Sequence, residues 1–209
     1  MLRKKSLLSL YVILLTALFT FLPISALADP ITPHGTARFE TPNATININN
    51  NSSSYKVIWM NTIRAWNNTG AFNFELSTSS TAQIIAGSNT SIGTGYAGLT
   101  KLTINNQGVI TQADSTLNPK VMTSVGYLPS QETNVAEHEL GHAIGLYHSP
   151  IKQSVMFAAN RFYTIQPADI ASVRNLYAAS LDETASLTQN TLFQDPFVRQ
   201  VHSHQVEFH

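Results

Sequence analysis

The chain has 209 residues, with 12 Lys and Arg against 12 Asp and Glu, and no Cys. That length suits one domain with a real core and is short for two. The charge balance gives no electrostatic ground for nucleic acid or an anionic membrane as a partner. No disulfide can brace a chain without Cys, so its stability must come from its core, with bound ions as a further source.

Residues 1–28 open with Met1-Leu2-Arg3-Lys4-Lys5, run apolar from about Leu7 to Leu22, break at Pro23 and finish at Ala26-Leu27-Ala28. This is the layout of a secretory signal peptide cleaved after Ala28; the run is a little short for a membrane anchor. Its removal takes three cations and no acid, leaving 9 basic against 12 acidic residues. Beyond it, Thr36 to Glu40 and Thr45 to Ile48 read as short strands around Pro42. Tyr55 to Asn67 carries apolar residues at helical spacing and stops at Asn67-Asn68-Thr69-Gly70. Strands are expected at Phe72–Leu76, Ala82–Ala86, Tyr96–Ile104 and Val109–Ala113. A helix around residues 130–144 follows, with Ser130 as its expected N-cap. Gln166-Pro167-Ala168-Asp169 opens a last helix to about Tyr177, with Ile170, Val173, Leu176 and Tyr177 inward. Residues 181–209 lose all periodicity and read as a loosely packed tail in which His202, His204 and His209 have no metal role. The organisation expected is a signal at 1–28, a catalytic domain at 29–180 and a tail at 181–209, in an α+β pattern.

The chemistry concentrates in His138-Glu139-Leu140-Gly141-His142-Ala143-Ile144-Gly145-Leu146-Tyr147-His148. On a helix, His138 and His142 lie on one face about 6 Å apart along the axis, so both imidazoles can reach one ion. Glu139 sits about 100° round the helix, placed to reach a water at that ion. Gly145 can take a positive φ and turn the chain sharply, bringing His148 back as a third ligand. Three protein nitrogens leave a place for water, as catalytic zinc requires. Ala136, Leu140, Ala143 and Ile144 form a separate apolar stripe that can pack on a sheet.

These residues fit H-E-x-x-H-x-x-G-x-x-H, and the chain resembles a matrixin-type metzincin of bacterial kind over roughly residues 35–179. Ser149 follows the third His as in that family, and Ser154-Val155-Met156 stands where the family has a Ser-x-Met turn, which implies Met156 as an apolar floor under the metal. The resemblance implies a metzincin-like fold, a twisted mixed sheet of about five strands with three helices. It also implies catalytic Zn²⁺ and, as substrate, an extended peptide laid along the edge at Tyr96–Leu99. Departures matter too. Without Cys the cysteine-based latency of vertebrate relatives is absent, and with no His between His34 and His138 the usual second zinc site cannot form. Phe157-Ala158 replaces the common Tyr-Pro, and Ala168 replaces the first of two acids, leaving Asp169. Structural Ca²⁺ is implied by the resemblance, but between residues 40 and 130 only Glu75 and Asp114 are acidic, so no calcium site is assigned.

The expectation is a secreted, monomeric zinc endopeptidase acting on protein or peptide. Its metal ligands are His138, His142 and His148, its general base is Glu139, and Gly145 and Met156 give structural support. The alternatives are an exported zinc-containing binding or envelope protein without proteolysis, and a metalloenzyme acting on a non-peptide amide.

Overall fold

Stretches whose residues alternate between buried and exposed build the sheet. In β1 (Asn43–Asn47) Ala44 and Ile46 point inward, and in β4 (Tyr96–Ile104) Thr100, Leu102 and Ile104 do so. β2 (Asn73–Leu76), β3 (Ile84–Ser88) and β5 (Ile110–Leu117) complete the central set. The structure, a computed structural model, describes residues 31–181 and 190–196, so the expected signal segment and His202, His204 and His209 lie outside it. A sixth strand, β6 (Asn190–Pro196), gives the order β2-β1-β3-β5-β4-β6. β1 runs parallel to β2 and β3, and β3 parallel to β5, while β4 is antiparallel to both β5 and β6. The fold is thus α+β with a mixed sheet, as the resemblance implies.

Four helices accompany the sheet among the described residues. α1 (Ser53–Asn68) starts where the Ser52 side chain accepts the Tyr55 N–H and buries Ile58, Trp59, Ile63 and Trp66. Gly70, at φ 63°, turns the chain out of it. α2 (Pro119–Ser124) is short and was not expected; Asn118 caps it and Pro119 begins it. α3 (Pro129–Ala143) carries the His-Glu motif, and α4 (Pro167–Ala178) closes the domain. α3 packs on α1, β4 and β5, which fixes the motif over the sheet. Leu140, Ala143 and Ile144 are fully buried there, each large side chain contributing about 2 kcal/mol by leaving water.

Several boundaries differ from expectation for identifiable reasons. Ser130 is not the N-cap of α3. Leu128 holds that position, because Pro129 pre-sets the first helical φ and Gln131 Oε1 accepts the Leu128 N–H at 3.0 Å. Residues 36–40 make only one parallel bridge, Arg38 with Val109, so no strand forms there. β5 runs on past Ala113 to the buried Leu117; the small Ala113 and Ser115 among its inward positions hide the hydrophobic alternation. Residues 190–196 of the tail pair with β4 from Tyr96 to Thr103.

Candidate metal centre

The last turn of α3 and the chain just after it assemble the three imidazoles. Gly145 takes φ 104°, and its N–H bonds the His142 carbonyl at 3.0 Å while the Leu146 N–H bonds the Gly141 carbonyl at 3.0 Å. This is a Schellman close, which caps the helix and reverses the chain in three residues. A Cβ at Gly145 would overlap the Ala37 carbonyl oxygen and Leu176, so the position excludes side chains by space as well as by φ. The reversed segment is then pinned: Tyr147 N–H donates to the Pro33 carbonyl at 2.8 Å, and Leu146 bridges His34.

The rings converge. Ligand-capable nitrogens of His138, His142 and His148 all lie within 4.8 Å of one another. The His138 and His142 ring centroids are 4.6 Å apart and nearly perpendicular, and His148 lies 4.8 Å from His142. His138 Nδ1 is 2.6 Å from the Val155 carbonyl and His142 Nδ1 is 2.8 Å from the Leu146 carbonyl. A carbonyl only accepts, so both Nδ1 atoms carry the proton, which leaves each Nε2 with the lone pair that a metal ligand needs. The donor set fits Zn²⁺: three imidazoles converge, two of them buried and oriented by backbone carbonyls.

Glu139 is fully buried against β4. Thr100 Oγ1 donates to its Oε2 at 2.5 Å, and a Cβ at Gly98 would overlap its carboxylate. Met156 is buried beneath the helix, where a Cβ on Gly141 would overlap its sulfur, so Gly141 is what allows the floor to approach. The turn that carries Met156 is organised by Asp169. Ser154 Oγ donates to Asp169 Oδ1 at 2.5 Å, Thr32 Oγ1 donates to the same oxygen, and the N–H groups of Val155 and Gln166 donate to Oδ2 at 3.1 and 2.9 Å. Val155 therefore links Asp169 to His138: its N–H binds the acid and its carbonyl orients the imidazole. Next to His138, burial raises the Glu137 carboxyl above its ordinary range, opposed by donors from Thr164 Oγ1 at 2.5 Å and Ile165 N at 3.3 Å. The Glu137 carbonyl accepts the Trp66 indole N–H at 2.9 Å, tying α1 to the motif.

Each site residue read from the sequence falls in this one place: His138, Glu139, His142, Gly145, His148 and Met156. Thr100, Gly98, Gly141 and the Asp169 node are additions that the motif does not name. Two had a signal, since a Gly within a strand marks close approach of another group, and an acid at the third position of a helix marks a cap.

A mixed sheet crossed by a His-Glu-x-x-His helix, a glycine turn returning a third His and a buried Met beneath them give the architecture of a metzincin-like domain. Residues 103–178 match the matrixin family model. A 59-residue stretch is 41% identical to stromelysin-2 of Rattus norvegicus, covering 25% of this chain and 12% of that protein. The chain carries a matrixin-like domain, and the histidine cluster is compatible with the catalytic zinc that this family implies. Among the described residues no helix is long and apolar enough to cross a membrane.

Proposed function

We propose that the chain is an exported zinc endopeptidase in which His138, His142 and His148 hold the metal and Glu139 moves the proton. The carrying observation is the approach of three ligand nitrogens to within 4.8 Å of one another beside a buried carboxylate. Zinc held there would supply positive charge to a peptide carbonyl and make water acidic enough, at a pKa of about 7, to ionise near neutrality. Thr100 Oγ1–H engages Oε2 of Glu139 and holds the carboxylate in place for proton transfer. Glu139 accepts the proton of the attacking water and delivers it to the leaving amine nitrogen, the double duty of one general acid and base. Extended peptide lies along the outer side of β4 at Tyr96–Leu99, an instance of strand addition. Export follows from the reading of residues 1–28.

Replacing Glu139 by Gln is the direct test. Hydrolysis of a casein-like substrate should fall by about 10²- to 10⁴-fold, with zinc content unchanged. Equal rates in the two proteins would refute the role of the carboxylate. Digestion of a broad peptide library, with and without a zinc chelator, separates this reading from an exported zinc protein without proteolysis: stoichiometric zinc with no cleavage of any peptide would establish the latter.

A further inference from the structure

Without residues 190–196, β4 would be the last strand of its sheet on this side. A last strand offers a row of unpaired N–H and C=O groups to any extended peptide. Here that row is taken by β6, antiparallel, with Thr100 opposite Phe193, Gly98 opposite Asp195 and Lys101 opposite Leu192. Gly98 and Thr100 are the two β4 residues that press on Glu139. The tail therefore crosses the strand at the level of the carboxylate.

Phe193 marks where it crosses the metal centre. Its ring lies parallel to the His142 imidazole, with centroids 4.0 Å apart and an interplanar angle of 7°. It also meets Tyr147 at 5.5 Å and His148 at 6.4 Å. An aromatic ring stacked on one metal-site imidazole and edged by another covers the face on which a substrate must arrive. Backbone pairing and a seated side chain together are how a strand-adding peptide binds: the ladder gives affinity and the side chain gives register.

We propose that residues 190–196 are a tethered occupant of the peptide-binding edge, restraining the site in cis, with Phe193 as the anchor. The restraint of catalysis rests on the peptidase reading above; the seating of the tail does not. Tethering makes the segment a competitor at millimolar effective concentration, enough to outcompete dilute peptides and weak enough to be displaced by abundant ones. The chain lacks Cys, so this device needs no thiol and is set by affinity alone.

The test uses the full chain and two substitutions, Phe193→Asp and Phe193→Tyr, with amide hydrogen exchange resolved by NMR over residues 96–103 and with peptide hydrolysis in the presence of zinc. In the parent, both rows of β4 amides should exchange slowly, those facing β5 and those facing outward. Phe193→Asp should speed the outward row by about tenfold or more and leave the β5-facing row slow, while Phe193→Tyr keeps the parent pattern. Hydrolysis of a short peptide should rise about tenfold in kcat/KM for Phe193→Asp, through KM. Outward amides that exchange at solvent rates in the parent would overturn the seating. An unchanged pattern in Phe193→Asp would overturn the anchor. Faster exchange with no gain in kcat/KM from an active parent would overturn the restraint. The expected exchange pattern with no hydrolysis in any variant would refute the peptidase reading and leave the seated tail standing.

Discussion

The two sides of the site are built from different ranges of sequence. The imidazole side is local: His142 is oriented by a carbonyl four residues on, and His138 by one 17 residues on. The carboxylate side is assembled over distance: Glu139 leans on Thr100, 39 residues earlier. Ligand spacing is therefore a property of one helix end, whereas the setting of the base is a property of the folded sheet. Changes on the first side should act through metal binding and folding together, and changes on the second should separate rate from metal content.

Gly145→Ala should have the largest effect on stability. It forces a Cβ into φ 104° and against the Ala37 carbonyl, at a cost of about 4 kcal/mol from backbone strain and overpacking combined. Urea unfolding and zinc titration should both register it; a variant as stable as the parent with full zinc affinity would show that the turn does not position His148. Asp169→Asn should cost about 2–3 kcal/mol, because four donors converge on an acid that then accepts less well. Zinc affinity should fall with it, through Val155 and His138. If stability drops and metal binding does not, the Asp169–Val155–His138 link carries no positioning.

Thr100→Val isolates the other side. Loss of one hydroxyl donor to Glu139 should lower kcat about tenfold, with zinc content and KM held. An equal loss of zinc would erase the distinction between the two sides. The smallest effect is expected at Tyr177. Burial raises its hydroxyl above the ordinary value near 10, opposed by the Phe39 N–H and the Arg38 charge. A raised folded pKa stabilises the fold fully below the unfolded pKa of about 10 and loses that contribution as pH climbs beyond it. Urea midpoints measured from pH 8 to 11 should fall above pH 10, and less steeply in Tyr177→Phe. Parallel curves for the two proteins would assign the alkaline loss elsewhere, Tyr55 being the next group that burial raises.

What could be read from the chain follows the same division. The run from His138 to His148 declares its geometry because helix pitch and one glycine determine it. β4 was legible to the residue, since Leu102 and Ile104 alternate with Lys101 and Thr103. The end of β5 is hidden because Ser115, buried against Thr100 at 3.0 Å, looks like a surface residue in isolation. α2 is too short to show a period, and only Asn118-Pro119 announces it. The start of α3 is masked because a serine one position past a proline resembles a cap, although the proline itself already begins the helix. Thr100 as a partner of Glu139 could not be read at all, because no local rule relates residues 39 apart. The strand at 190–196 is illegible for a related reason: its pairing becomes meaningful only once β4 is there to receive it.

The order of the sheet has a consequence for how copies of this protein behave together. β4 is nine residues long, and between the register shifts at its two ends Gly98 to Thr103 form the kind of border along which identical chains zip into fibrils or dimers. With β6 paired to it, that border is taken before a second copy can reach it. A version cut short before Asn190 should be more prone to self-association in concentrated solution, and light scattering would detect it.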